Sequence, residues 1–157
     1  MIKRLIIFFC LFLVSSQAFS ALSGSALFKG QVTRVVSLVV TAEPIAASLD
    51  LTASKSNLLV ATINEKSNSK TGYKMTISSA NRGKLKRVDG PELFTYTMKL
   101  NGSNVNLSQV AGTTFTRSTS RPVNINRNLK MSYVGKLPEL MVQGTYADTI
   151  TITIAAR

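Results

Sequence analysis

The sequence contains no histidine and only one cysteine among its 157 residues. Histidine is the commonest general base and metal ligand, and cysteine is a frequent nucleophile, so most catalytic and metal-binding chemistry lacks its usual residues. The acidic residues are scattered without calcium-loop spacing, and the turn glycines occur singly, so no loop is built to cradle a phosphate. Asp89 and Glu92 flank a turn, where carboxylates rarely gain the burial that acid–base catalysis requires. The sequence therefore predicts no catalytic residue, no metal site and no cofactor, and we expect a protein that is not an enzyme.

The N-terminus has the three-part pattern of a secretory signal peptide. A positive head at residues 1–4 precedes an unbroken apolar run at residues 5–14, and the small residues Ala18 and Ser20 suit a signal peptidase. The apolar run is too short to cross a bilayer core of about 30 Å as a helix. We expect cleavage after Ser20, with cleavage after Ala18 as the second choice, so that residues 1–20 are a signal peptide and the chain is exported.

Loss of this leader changes the composition of the mature protein. It leaves 137 of the 157 residues, which suffices for one domain with a real core. Cys10 is lost, so no disulfide is available, and packing or a partner must stabilise the fold. Lys3 and Arg4 are also lost, which lowers the formal net charge from +12 to +10. A charge of this size favours attraction to anionic polymers, lipid headgroups or acidic proteins.

Nearly all of the remaining sequence alternates between apolar and polar residues. Residues 22–42 keep this two-residue period throughout, which predicts two strands in series with a break near residues 30–34. Further strands are predicted at residues 47–53, 58–63, 72–79, 93–100, 123–133 and 145–155. Turn signals lie at residues 81–83, 89–91 and 101–102, and residues 137–140 form at most one helical turn. Many short strands with regular turns predict an all-β fold of two antiparallel sheets.

The densest cluster of positive charge follows the turn at residues 81–83. It consists of Arg82, Lys84, Lys86 and Arg87. One interpretation is an anionic-ligand patch that holds an acidic polysaccharide or a nucleic-acid backbone. The favoured interpretation is a charged hairpin that keeps the protein soluble, because no aromatic residue interleaves to stack on a base or sugar. We therefore expect no nucleic-acid partner.

The C-terminal sequence resembles that of a known family. Residues 144–154, GTYADTITITI, resemble the final strand of chaperone–usher pilus subunits and of the related spore-coat-U-like secreted proteins. Residues 28–32, FKGQV, are similar to the start of the pilin domain in type-1-like subunits. Residues 38–45, with Leu49 and Leu51, are more similar to the cysteine-free α-type fimbrial subunits. The α-type resemblance explains the missing disulfide, whereas the penultimate tyrosine of many pilins is absent.

The resemblance implies an immunoglobulin-like, pilin-type β-sandwich at residues 35–157 that lacks one strand. An apolar groove would then lie open between the sheets, filled first by a periplasmic chaperone and then by a donor strand from the next subunit. The C-terminal strand would turn one set of side chains towards this groove or the chaperone, namely Ile150, Ile152 and Ile154. Partners implied in this way are neighbouring subunits, the chaperone and an outer-membrane usher.

A donor strand must alternate every two residues and lie near the mature N-terminus, outside the main sandwich. Residues 22–32 meet that description without reference to the family, and residues 21–34 are assigned as an N-terminal extension. The face predicted to bind a neighbouring subunit consists of Leu22, Gly24, Ala26, Phe28, Gly30 and Val32. The alternative is that these residues form the ordinary first strand of a complete sandwich, since alternation does not distinguish pairing within a chain from pairing between chains.

Two functions follow from these observations. The first is a structural subunit of a surface pilus or fimbria that supports adhesion and passes through the periplasm before it reaches the cell surface. The second is a self-complete secreted β-sandwich that binds anionic glycans or a host or matrix surface through its basic face. The two differ in whether residues 21–34 pair with another chain.

Overall fold

The computed structural model describes residues 22–157, so the predicted signal peptide at residues 1–20 lies outside the described residues. The described residues form eleven β-strands: β1 (Val36–Ala42), β2 (Lys55–Ser67), β3 (Tyr73–Ser79), β4 (Lys84–Arg87), β5 (Leu93–Thr95), β6 (Thr97–Leu100), β7 (Ser103–Val105), β8 (Thr113–Arg117), β9 (Val123–Tyr133), β10 (Tyr146–Ala147) and β11 (Ile150–Ala156). In the same residues the helical segments are two 3₁₀ turns, Pro44–Ala47 and Pro138–Leu140. No helix in this part of the chain has the length and apolarity to cross a membrane.

The strands form two layers, and every recorded strand pair is antiparallel. One layer is a five-stranded sheet in the order β1-β2-β9-β6-β7. The other layer contains two three-stranded sheets, β11-β3-β8 and β10-β4-β5. These two sheets follow one another because β11 and β10 are consecutive segments that pair with β3 and β4.

The core lies between the two layers, as the two-residue alternation predicts. Ile63, Met98 and Leu129 enter it from the five-stranded sheet, and Met75 and Phe94 enter it from the opposite layer. Every second residue of β3 and β6 is buried, and the residues between them are exposed or partly exposed. Burial of each large apolar side chain contributes about 1.5–3 kcal/mol. The predicted all-β antiparallel sandwich is confirmed.

A buried charged cluster joins the layers near one end of the sandwich. Glu65 of β2 is fully buried, and its Oε1 lies 2.8 Å from the Nε of Arg127 on β9. The contact is an ion pair by distance, but it lacks hydrogen-bond geometry. The hydroxyl of Tyr73 on β3 donates to Glu65 Oε2 at 2.5 Å. The tyrosine therefore links the second layer to an ion pair of the first.

Two predicted strands are each divided at a polar side chain. Residues 93–100 form β5 and β6, which belong to different sheets, and the chain passes between the layers at Tyr96. Residues 145–155 form β10 and β11, which are separated by Asp148 and Thr149. The alternation continues through the first break, so the sequence pattern does not reveal it, whereas Asp148 interrupts the apolar face at the second. The Tyr96 hydroxyl donates to the Asp148 carboxylate, so a hydrogen bond joins the two breaks.

Other strand predictions need correction. The strand predicted at residues 47–53 is wrong, because Pro44 starts a 3₁₀ turn there and Asp50 accepts a bond from the Thr52 N–H in the loop that follows. Sequence reasoning also missed β4, β7 and β8, each of which has five residues or fewer. The predicted turns at residues 81–83 and 101–102 are confirmed, with positive φ at Arg82 and Asn101. The predicted strands at residues 72–79 and 123–133 are confirmed as β3 and β9.

The chain separates into two units, with the boundary after Val32. The described part of the first unit, residues 22–32, has no regular secondary structure and consists of exposed residues. The first of the two strands predicted within residues 22–42 is therefore absent, since the first strand begins at Val36. The second unit, residues 33–157, contains the sandwich.

Residues 33–35 are clasped just before β1 begins. Asn68, one residue beyond the end of β2, accepts a bond from the Val35 N–H at 2.6 Å and donates from its amide to the Thr33 carbonyl at 2.9 Å. The Asn68 N–H also donates to the Val35 carbonyl at 3.1 Å. We call this set of bonds the Asn68 clasp.

Candidate functional site

Two of the edge strands, β1 of the five-stranded sheet and β11 of a three-stranded sheet, lie next to each other. Among residues 22–157, β1 pairs only with β2, and β11 pairs only with β3. The two strands lie close together, yet no ladder joins them in this part of the chain. Each therefore presents backbone N–H and C=O groups that have no strand partner, which is the arrangement that accepts an added strand.

An apolar groove of about 260 Å³ lies between these two strands. Its walls are Val40 and Ala42 from β1 and Ile150 and Ile152 from β11. The floor consists of core side chains, namely Val60, Ala61, Leu85, Tyr96, Met98, Leu129 and Met131. The groove thus opens directly onto the core of the sandwich, and a side chain that entered it would complete the core.

A β-bulge shapes the floor. The pairing of β2 with β9 shifts register between Leu59 and Ala61, so that Val60 and Ala61 are both buried although they are adjacent in sequence. In a regular strand, adjacent side chains point to opposite faces. The bulge therefore places two neighbouring apolar residues in the groove floor, and such irregularities are frequent next to functional sites.

The apolar side chains in the groove walls remain partly exposed to solvent. Ile150, Ile152 and Ile154 are each half-buried, whereas Thr151 and Thr153 between them are exposed. Val40 on the facing wall is 46% exposed. An alternating strand with its apolar face next to the core is normally covered, and each large side chain left partly in water forgoes some of its burial energy. The walls therefore favour an apolar occupant.

Asp148 closes one end of the groove. Its carboxylate accepts bonds from the Ser79 hydroxyl at 2.5 Å, the Asn81 N–H at 3.0 Å and the Thr149 N–H at 2.8 Å, and from the hydroxyl of Tyr96. Burial, followed by the bond to Asp148, raises the pKa of Tyr96 well above its usual range. The carboxylate is thus engaged by the fold, so the groove presents an apolar surface to an occupant.

A second cavity of about 660 Å³ adjoins the groove at the end that Asp148 closes. The two share lining residues, which are Ala46, Leu49, Leu85 and Asp148. Residues 46–52, Pro138 and residues 141–148 line this cavity. Asp148 lines both spaces and marks where the groove ends and the cavity begins.

The structure brings together only part of the predicted groove face of the C-terminal strand. Ile150 and Ile152 line the groove, whereas Ile154 pairs with Met75 and lies outside the cavity. Val40 and Ala42 were not predicted as wall residues. Their signal was present, because both belong to the apolar face of residues 22–42.

The segment predicted to donate a strand has the sequence pattern of a strand, but it forms no strand in the single chain. Its six predicted contact residues are Leu22, Gly24, Ala26, Phe28, Gly30 and Val32, all exposed. Phe28 is 92% exposed. An exposed phenylalanine in an apolar, alternating segment is typical of a surface that binds a partner.

The predicted basic cluster does not form one free patch. Lys84 and Lys86 lie exposed on the same face of β4, in the hairpin that β4 forms with β5. Arg87, in contrast, makes an ion pair with Glu92 at 2.6 Å and donates to the Gln143 carbonyl at 3.3 Å. The hydrogen bond from Arg87 lowers the pKa of Glu92 and raises that of the guanidinium. Arg87 is therefore committed to the fold.

Comparison with solved structures found 14 chains that are similar to this one. No protein-family model and no curated protein sequence matches the chain. Among solved structures, the chain is similar to the crystal structure of the E. coli Hda pilus minor tip subunit, HdaB, with a TM-score of 0.38 at 11% sequence identity. The likeness covers 75% of this chain and 79% of that one. The function of this chain is therefore argued from its own groove and N-terminal segment.

Proposed function

We propose that this protein is a structural, non-catalytic subunit of a surface pilus or fimbria, and that its groove receives an extended segment of a neighbouring subunit. The observation that carries the proposal is the apolar groove between the free edges of β1 and β11. An immunoglobulin-like sandwich that lacks one strand presents such a groove, and the missing strand is then supplied by another chain.

Strand addition fits both the shape and the chemistry of the groove. An added strand satisfies the unpaired backbone groups of an edge and places alternate side chains in pockets. The isoleucines of β11 and most of the floor residues offer apolar contacts to those side chains, and the polar atoms of Tyr96 and Asp148 bond to each other. The occupant must therefore alternate between apolar and other residues over several positions.

The chain itself contains a segment with this pattern. Residues 22–32 alternate except at Leu27, which is apolar on the otherwise polar face, and they carry Phe28 as the largest apolar side chain. Burial of one phenylalanine is worth about 1.5–3 kcal/mol. We propose that this segment of one copy fills the groove of the next, so that each subunit both donates and accepts a strand. A self-complete sandwich would need the same residues as a strand of their own domain, and the first strand of the described chain begins at Val36.

The route to the surface follows from the same groove. An exported subunit with an open apolar groove is prone to aggregate, since it exposes strand edges and apolar walls. We propose that a periplasmic chaperone covers the groove until an outer-membrane usher exchanges it for the donor segment. The assembled fibre supports adhesion at the cell surface.

A displacement assay with donor peptides tests the proposal. The chaperone-bound subunit is mixed with a peptide spanning residues 21–35, and release of the chaperone is followed on a native gel. We expect the Phe28→Asp peptide to lose displacement, because a charge in an apolar pocket is strongly unfavourable. The matched control is Leu27→Asp, which makes a similar change one position away, on the opposite face of the strand.

The Leu27→Asp peptide should displace the chaperone almost as well as the wild-type peptide. The proposed donor role is wrong if Phe28→Asp and Leu27→Asp behave alike, or if no peptide displaces the chaperone.

A further inference from the structure

The outer face of the five-stranded sheet is mostly polar and rich in amides, and its apolar members are Val39, which pairs with Asn64, and Leu59, which pairs with Lys130. Its members point away from the core because their strand neighbours point into it, as the pairing of Val40 with Ile63 and of Thr41 with Thr62 shows. We define the outer polar face as Thr41, Thr62, Asn64, Lys66, Lys99, Asn104, Asn124, Asn126, Asn128 and Lys130. Nothing in the proposed strand exchange uses these residues, which lie on the opposite side of the sheet from the groove.

The asparagines of this face are held in a row. The amide of Asn64 on β2 donates to the side-chain oxygens of Asn124 at 2.9 Å and of Asn126 at 2.7 Å on β9. Asn128 follows Asn126 on the same face of β9 and is exposed. Amides fixed in this way lose little freedom when they bind a ligand with hydroxyl groups.

The lysines of the face are placed against one another. Lys99 on β6 and Lys130 on β9 are direct cross-strand partners. Like charges in this position destabilise a sheet. The ion pairs among residues 22–157 are Arg87 with Glu92 and Arg127 with Glu65, so neither lysine is neutralised by an acid in this part of the chain. The sheet thus keeps a repulsive pair that its own stability does not favour.

One acid approaches the border of the face. Glu43, just beyond the end of β1, accepts a bond from the Thr62 hydroxyl at 3.4 Å. Thr62 lies in the middle of β2, where it pairs with Thr41 of β1 and with Asn128 of β9, the same-face neighbour of Lys130. Asn124 to Lys130 spans six residues of β9, or about 20 Å of extended chain. The face is therefore a strip with cations at its far ends, Lys66 at one and Lys99 and Lys130 at the other, and amides between them.

We propose that the outer polar face binds an acidic polysaccharide that carries carboxylate or sulfate groups along a chain of hydroxyl-bearing sugars. The lysines attract the anionic groups, and the asparagines and threonines between them bond to hydroxyls. The strands of the face contribute no aromatic side chain at these positions, so it offers no platform on which nucleic-acid bases would stack. Charge complementarity and the amide row together point to a polysaccharide.

Two double variants with the same change in charge test this proposal. Lys99→Gln with Lys130→Gln alters the face, and Lys84→Gln with Lys86→Gln removes two exposed, same-face lysines from β4. Binding of the full mature chain to heparin and to polygalacturonate is measured at a fixed salt concentration. We expect the first pair to raise the dissociation constant roughly 2- to 30-fold, the range for two exposed ionic contacts. The β4 pair should change it far less.

A third variant separates a polysaccharide from other polyanions. Asn126→Ala with Asn128→Ala keeps the charge and should weaken binding to both polysaccharides while leaving binding to double-stranded DNA unchanged. Equal effects of the two lysine pairs would overturn the proposal in favour of attraction by net charge alone. Tighter binding to DNA than to either polysaccharide, or no effect of the asparagine variant, would also overturn it.

Thermal melts of each variant show whether the fold is intact, and loss of the Lys99–Lys130 repulsion should not lower the melting temperature. A negative result in these polysaccharide-binding experiments would not contradict strand exchange, because the peptide assay measures binding in the groove, on the other side of the sheet.

Discussion

At the scale of single residues, the most unusual feature is a fully buried glutamate in a protein with few acids. Glu65 is held between Arg127 and Tyr73, one from its own sheet and one from the opposite layer. A buried charge whose partner is removed is strongly destabilising, whereas the intact pair adds little net stability. The role of the cluster is therefore to fix how the two layers meet.

Alkaline pH should loosen this cluster through Tyr73. Burial, and next the bond to Glu65, raise the pKa of Tyr73 from 10.0 to about 12. A group with a raised folded-state pKa contributes its full stability below the unfolded pKa and loses it as the pH rises through the folded pKa. The free energy of unfolding should therefore decline between about pH 10 and pH 12, and Tyr73→Phe should make that decline shallower. Urea melts across this range check the slope, and melts at neutral pH report the packing change separately. An unchanged slope would contradict the assignment.

At the scale of elements, β11 is the strand on which the proposed function depends most. Ile152 lines the groove, and Thr153 beside it points outwards and pairs with Thr76. Ile152→Asp should lower the affinity for a peptide spanning residues 21–35 by about 1.5–3 kcal/mol, the burial energy of one large apolar side chain. Thr153→Asp should bind nearly as well as the wild type. Fluorescence anisotropy with a labelled peptide measures both, and equal losses would mean that the peptide does not occupy this groove.

The elements also show what the sequence reveals and what it does not. Alternation predicted β3, β9 and β11, because one face of each borders the core and the other faces water. It did not reveal the passage between layers at Tyr96 or the bulge at Val60, since both depend on partners distant in sequence. Half of the groove was predictable from the isoleucines of β11. The facing wall was predictable only as an apolar face, because alternation in β1 places Val40 and Ala42 on one face but does not show which strand lies beside it.

At the scale of the whole molecule, the groove is made by the two ends of the fold. Its walls are β1, which starts at Val36, and β11, which ends at Ala156. Contacts so distant in sequence form late and slowly. The second wall of the groove is therefore absent until β11 has paired with β3, and the partly folded chain exposes the apolar floor of the groove until then.

A subunit that carries its own donor strand should be monomeric and more stable. We expect a chain with residues 21–35 appended after Arg157 through a flexible linker to melt roughly 5–15 °C higher than the unmodified chain, given the burial of Phe28 at a millimolar effective concentration. The unmodified chain should self-associate as its concentration rises. The matched control carries Phe28→Asp in the appended copy only. Sedimentation and thermal melts report both properties, and a cooperative, monomeric unmodified chain would contradict strand exchange.

The Asn68 clasp determines how the protein bears tension. Its three bonds hold residues 33–35 against the end of β2, immediately before β1. A pull on residues 22–32 reaches the clasp first, because the clasp precedes β1 in the chain. Where the pull runs along the axis of β1, the seven residue pairs of β1 with β2 share the load in shear. A fibre built by strand exchange from such subunits would resist flow forces at the very point where each subunit holds its neighbour.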